Sequence, residues 1–185
     1  MLNKNLNSIE NLVPIISYSV VNNEQIINVD HKHLLFVLNC LKKHINSQYR
    51  LLTCISGVDL LTTKYRFCVV YDLLSLTFNS RLRVKIFVNE VTHVDSSIPV
   101  YINANWWERE VWDLFGIYFQ KHSDLRRILT DYGFEGFPLR KDFPLSGYVE
   151  VRYDQAKKRV IVEPIELAQE FRSFTYETPW DESKV

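Results

Sequence analysis

The sequence is short of the residues from which catalytic and cofactor sites are built. Cysteine occurs three times, at Cys40, Cys54 and Cys68, an odd number spaced about fourteen residues apart. No CxxC or Cys/His ligand spacing is present, so the chain shows no iron–sulfur or zinc motif of its own. Lone thiols of this kind suit buried free cysteines in a reducing compartment. Glycine is scarce at five residues, and none forms GxGxxG or GxxxxGK[ST], which removes the common phosphate-binding loops. GxSxG and HExxH are absent too. An excess of one charge sign is missing, since 22 Lys and Arg face 22 Asp and Glu. A broad surface for nucleic acid or anionic lipid would need a basic surplus. No apolar run approaches the roughly 18–20 residues of a membrane span, so any membrane link is expected to run through a partner. The N-terminal MLNKNLNSIENLVPIIS lacks the features of a signal or transit peptide, so the product is expected to work where it is made or to be already processed in this form. Alanine is rare (Ala104, Ala156, Ala168) while Leu, Asn, Ile, Phe and Tyr abound, the bias an AT-rich coding sequence would give.

What remains is ordinary globular material: 185 residues, 46% hydrophobic and 24% charged, enough for one domain with an extended arm. Residues 1–29, Asn-rich with Pro14, read as a loose or partly helical lead-in. Asp30 can cap a helix over about 31–46, with Leu34, Leu38, Leu41 and Ile45 on one face and Lys42, Lys43 and His44 in its last turn. His31 and His33 read as solvated. Tyr49–Ser56 predicts a strand ended by Gly57-Val58-Asp59, and Tyr65–Thr77 a second. In the third, Leu82, Val84, Ile86 and Val88 alternate with Arg81, Arg83 and Lys85, a strand packed on one face and wet on the other. Residues 91–101 suggest a short strand. Asn103 can cap a helix through Phe115, with Trp107, Val111, Leu114 and Phe115 as its apolar stripe, Trp106, Glu110 and Asp113 on a polar-aromatic face, and Gly116 as its stop. The expected fold is α+β: a two-layer domain of mostly antiparallel sheet with packed helices over 30–120, then a turn-rich strip and extended C-terminal arm over 121–185. Ser123 or Asp124 predicts one helical turn over Leu125–Thr130, and Tyr148–Tyr153 with Arg159–Val162 predicts an exposed hairpin. The tail carries Phe171, Phe174, Tyr176 and Trp180, too aromatic for a disordered segment and without a core face of its own.

One stretch departs from the rest. Glu108–Asp154 holds nine acidic and seven basic residues, 34% charged against 20% elsewhere. Four of the five glycines fall in it, and Arg outnumbers Lys five to two. A solvated face would be Lys/Glu-rich and poor in aromatics; a core would be poor in charge. Arg mixed with aromatics and turn residues is the make-up of a contact surface. Within it, Glu110 and Asp113 share a helix face, and His122 stands near Asp124, so a small enzyme using Glu110, Asp113 and His122 is one reading. No nucleophile motif accompanies them, and charge-paired acids are the simpler account. An RNA track through Arg81, Arg83 and Lys85 is a second, against which the zero net charge speaks. Leaving buried charge unpaired costs several kcal/mol. The many ions of the strip must therefore pair internally or with a partner, and the interspersed aromatics favour the partner.

The residues Glu108-Arg109-Glu110, Asp113, Leu114-Phe115, His122 and Arg126-Arg127 match, without departure, a motif of the 30-kilodalton subunit family of respiratory complex I, the proton-pumping NADH:ubiquinone oxidoreductase. DYGFEGFPLRKDFPLSGYVEVRYD, Tyr65–Val84 and EPIELAQEFRSFTYETPW also resemble that family, so the likeness runs from about Asp30 to Trp180. The resemblance implies a non-catalytic core subunit of the peripheral arm. Such a subunit binds no cofactor itself; FMN and iron–sulfur clusters belong to other subunits. It would sit against the 49-kilodalton and cluster-bearing subunits of the quinone module, with the C-terminal arm laid across neighbours. With the AT-rich usage, it implies the matrix side of the mitochondrial inner membrane; an alpha-proteobacterial cytoplasmic homologue is the alternative. The expected contact residues are Glu108, Arg109, Glu110, Asp113, His122, Asp124, Arg126, Arg127, Asp131, Arg140, Lys141, Tyr148, Arg152, Phe171, Phe174 and Trp180. Truncating Arg126 or Arg127 is expected to lower assembly without unfolding the domain, unless these arginines are internal struts.

Overall fold

The computed structural model describes residues 12–22 and 24–174. They form two units, one ending at Phe143 and one starting at Pro144. The first is built on a five-stranded sheet. Its strands are β1 (Ile15–Val21), β2 (Glu24–Val29), β3 (Leu51–Asp59), β4 (Phe67–Ser75) and β5 (Ser80–Val88). Their spatial order is β1-β2-β5-β4-β3. The predicted meander is present as β3–β4–β5, antiparallel throughout. The lead-in departs from its reading: β1 and β2 form a hairpin, and β2 runs parallel to β5 near the middle of the sheet. Parallel neighbours need a crossover. Here β2 leads through helix α1 (Leu34–Lys43) to the far edge at β3, and the meander returns β5 to lie beside β2.

Asp30 accepts a hydrogen bond from the Lys32 N–H and starts a 3-10 turn, His31–His33, that runs into α1. Leu34, Val37, Leu38 and Leu41 are buried against the sheet, as the helical spacing required, but the helix ends at Lys43 and Ile45, expected on the same face, is exposed. On β5, Leu82, Val84, Ile86 and Val88 are buried while Arg81 is exposed and Arg83 and Lys85 half-buried, matching the predicted alternation. Burying each such aliphatic side chain contributes about 1.5–3 kcal/mol. Helix α2 (Ala104–Phe115) packs over β3 and adds Ala104, Val111 and Phe115 to the same core. Both helices thus cover one face, giving the expected two-layer α+β sandwich.

Three local readings change. Gly57, Val58 and Asp59 do not stop β3 but continue it. Gly57 is needed for another reason: a Cβ there would lie 2.6 Å from the Phe115 ring. Asn103 does not cap α2 through its side chain; its amide donates to the Leu52 carbonyl at 2.6 Å. Residues 125–130 form no helical turn. Gly116 does end α2, in the left-handed region at φ 75°.

Two short strands, β6 (Val94–Asp95) and β7 (Phe119–Gln120), pair in parallel beside α2. In the second unit, β8 (Val149–Asp154) and β9 (Arg159–Pro164) form the predicted hairpin. Among the described residues no helix is long and apolar enough to cross a membrane.

Candidate partner-contact segment

Helix α2 carries three carboxylates, and its packing sends them to three different environments. Glu108 lies on the same stripe as Ala104 and Val111 and is fully buried. The β6–β7 pair brings it partners. Ser97 donates to Oε1 through both its N–H and Oγ at 2.6 Å, and Ser96 Oγ donates to Oε2 at 2.6 Å. The buried His122 follows β7, with Nε2 4.0 Å from Glu108 Oε2. Its Nδ1 accepts the Asp124 N–H at 3.0 Å, which puts the ring proton on Nε2, facing the Asn105 carbonyl at 3.1 Å. Burial pushes the Glu108 carboxyl above its ordinary range, against the serine hydrogen bonds that pull it down.

Asp113, expected on a polar face, is fully buried. The loop after β7 returns over it. Oδ2 accepts three consecutive backbone N–H groups, from Ile128 (3.2 Å), Leu129 (2.8 Å) and Thr130 (3.0 Å). Oδ1 accepts Thr130 Oγ1 at 2.7 Å and Arg127 Nη1 at 3.1 Å. Burial alone would raise this carboxyl; the bonds from Thr130, Leu129 and Ile128 outweigh it and hold it below the usual carboxylate range. Glu110, half-buried, has no hydrogen bond or ion pair among the described residues.

The arginines divide as well. Arg109 is buried and donates to the Arg126 carbonyl at 3.1 Å, with its guanidinium 5.3 Å from the Trp106 ring centre. Arg127 also donates to the Gly136 carbonyl at 3.0 Å and stands over the Phe134 and Phe137 rings. Arg140 donates to the Phe115 carbonyl at 2.7 Å and lies between the Phe67 and Phe137 rings. By contrast, among the described residues the Arg126 side chain pairs only with nearby Asp124, at 2.8 Å, and both side chains are more than half exposed. Asp131 accepts the Tyr132 N–H, and Lys141 uses its backbone N–H toward Asp59, leaving both side chains at the surface.

Asp59, read from sequence as a turn residue, proves to be a buried anchor. Arg66 donates to it at 2.9 and 3.0 Å and also reaches Glu90 and Asp142. That guanidinium, ahead of the opposing burial, holds the Asp59 carboxyl low. Nothing in the sequence singled out Asp59, Arg66, Ser96 or Ser97. Glu108 had one, its i+4 spacing from Ala104 on the apolar stripe.

The second unit is described by itself. Val149, Val151, Tyr153, Val160 and Val162 share one hairpin face and are each more than half exposed. On the other face Arg152 and Glu163 pair at 2.7 Å. Tyr148, Phe171 and Phe174 are exposed, and Trp180 lies outside the described residues.

The three residues of the enzyme reading lie in separate environments among the described residues. Asp113 has its lone pairs taken by five donors, His122 is turned to Glu108 and Asn105, and Glu110 faces elsewhere. Among the described residues, no group of His, Cys, Asp and Glu could hold a metal ion. Arg83 of the supposed RNA track is committed to Asp72 at 2.7 Å and Glu24 at 3.2 Å.

Comparison with known proteins identifies the family. The chain is 53% identical over 162 residues to NADH-ubiquinone oxidoreductase subunit 9 of Reclinomonas americana, covering 88% of this chain and 79% of that one. It is 58% identical over 149 residues to NADH dehydrogenase [ubiquinone] iron-sulfur protein 3 of Arabidopsis thaliana, covering 80% and 78%. A chain in the structure of the membrane-bound sulfane sulfur reductase, an archaeal respiratory membrane complex, shares the fold with a TM-score of 0.66 at 21% identity, covering 84% of this chain and 96% of that one. Residues 27–149 match the family described as respiratory-chain NADH dehydrogenase, 30 Kd subunit, and the chain belongs to that family.

Proposed function

We propose that this chain is a non-catalytic core subunit of NADH:ubiquinone oxidoreductase, one that scaffolds its quinone module while electrons pass from NADH to ubiquinone through other subunits. It binds no cofactor of its own; the FMN and iron–sulfur clusters sit on its neighbours, the 49-kilodalton and cluster-bearing subunits among them. Membrane attachment comes through the complex, on the matrix side of the mitochondrial inner membrane.

The observation that carries this reading is the unit from Pro144 onward. Between Pro144 and Phe174 no side chain is buried, yet the hairpin gathers five apolar side chains on one face. An isolated two-stranded hairpin is at best marginal in water and needs further packing to be stable. A face of this kind is a surface for another protein. The internal commitments of Asp113 and Arg127 supply the rigid platform from which the exposed residues of the strip meet partners.

The test is a native gel of detergent-solubilised membranes probed for this chain, with NADH oxidation and quinone reduction measured on the purified chain alone. Co-migration with NADH dehydrogenase activity, and no turnover by the chain itself, is expected. A free monomer that reduces quinone, or one in which Glu110→Gln abolishes a turnover, would overturn the reading.

A further inference from the structure

We propose that β3 accepts an extended segment of a partner subunit as an additional strand, and that the groove between β3 and α2 takes from that segment one apolar side chain and one Lys or Arg. This rests on the assembly reading above and names a site within it.

β3 is an edge strand nine residues long. In an antiparallel ladder every second residue turns its N–H and C=O away from the paired strand. The outer edge between Thr53 and Val58 has no backbone hydrogen-bond partner among the described residues. Edges are commonly guarded by Lys, Pro or a covering element. The sequence LLTCISGVD contains neither Lys nor Pro. Its one irregularity, between Leu52 and Cys54, sits at the end where Asn103 already occupies the Leu52 carbonyl.

A groove runs alongside β3. That groove has a volume of about 190 Å³ and is walled by Gly57, Trp107, Leu114 and Leu139. Glu110 stands on the same wall. The residue is half-buried and its carboxylate has neither a hydrogen bond nor an ion pair among the described residues, while Glu108 and Asp113 on the same helix are saturated. An unpaired carboxylate beside apolar walls selects a cation. The unpaired backbone selects an extended chain over a helix. Side chains of a strand alternate, so the two residues entering the groove stand two positions apart.

The test uses the full chain in the assembled complex. A photo-cross-linking amino acid replaces the exposed Ser56, the complex is irradiated in native membranes, and adducts are mapped by mass spectrometry. The expected adduct is a peptide of another subunit in which an apolar residue lies two positions from a Lys or Arg. Glu110→Arg lowers the adduct about tenfold, and changing that partner cation to Glu restores it. Hydrogen exchange at alternate amides of residues 53–58 is slower in the complex than in the separate full chain. Because Glu110 has no hydrogen-bond or ion-pair partner among the described residues, Glu110→Arg and Glu110→Gln are expected to leave the melting midpoint of the separate chain unchanged, which removes misfolding as an explanation. The proposal is overturned if adducts map to this chain's own tail or to a second copy. It is equally overturned if the chain is in the complex and its β3 amides exchange as in the separate chain. A chain that enters no complex overturns the assembly reading together with the strand site.

Discussion

Replacing Asp113 by Asn tests the platform directly. The carboxylate holds three consecutive amides through Oδ2 and Thr130 and Arg127 through Oδ1. An Asn can place its carbonyl where Oδ2 stands and keep the amide bonds, but as neutral ones. A hydrogen bond to a charged group contributes about 1.5–3 kcal/mol and a neutral one about 0.5–1.5. Three such changes therefore cost about 3 kcal/mol. The Asn amide then faces the Arg127 guanidinium, donor to donor. That side chain is 30% exposed, so solvent screening limits the added loss to about 1 kcal/mol. The total, about 4 kcal/mol, lies in the range for breaking a buried pair and is a large part of the 5–15 kcal/mol that holds an ordinary domain together. At about 2–4 °C per kcal/mol for a chain this size, the midpoint falls by roughly 8–16 °C. Heating the purified chain at pH 7 with circular dichroism, together with amide exchange at 128–130, measures it. The folded pKa of Asp113 is lowered, so its stabilisation is present above the unfolded value near 3.9 and lost as pH falls through the folded pKa. The wild-type and Asp113→Asn midpoints therefore converge in acid. A drop under about 3 °C at pH 7, with the 128–130 amides still protected, would refute the clamp.

Glu108→Gln behaves in the opposite sense. The folded pKa of Glu108 is raised by burial, so its stabilisation is present below the unfolded value and lost as pH rises through the folded one. The variant's midpoint relative to wild type should thus increase between pH 4 and pH 8, and a flat or falling difference in thermal scans would contradict it. Arg127→Ala removes contacts to Asp113, Gly136 and two rings and should lower the midpoint by about 5 °C or more, from about 2 kcal/mol lost. Arg126→Ala, at an exposed local pair, should leave the midpoint within about 2 °C, so its effect on assembly can be read separately on native gels.

The elements that the sequence displays are those with one buried face. β5 alternates strictly because only Leu82, Val84, Ile86 and Val88 turn to the core, and α1 shows its stripe for the same reason. The hairpin β8–β9 was legible from its two alternating runs around a polar turn. β2 was not, because it lies inside the sheet and buries Ile26 and Ile27 in succession, which breaks the period of two. The fate of α2's carboxylates was hidden for a different reason. A helical spacing assigns faces relative to the sheet, but it is blind to a loop that returns from residues 127–130 to cover Asp113. Burial of Glu108 depends likewise on Ser96 and Ser97, delivered by β6.

This division bears on how the charged motif should be used. Of its residues, Glu108, Arg109, Asp113, His122 and Arg127 have their polar atoms engaged within the first unit. Glu110 and Arg126 are the ones left to face outward. Loss of a residue from the first group acts on folding before it can act on assembly. An assembly defect in such a variant therefore says little about contact with a partner. Charge changes at Glu110 or Arg126, and apolar-to-polar changes on the Val151/Val162 face, leave the clamp around Asp113 untouched. Assembly measured on those variants reports on the interface itself, and the separation rests on which hydrogen-bonding atoms of α2 are already occupied.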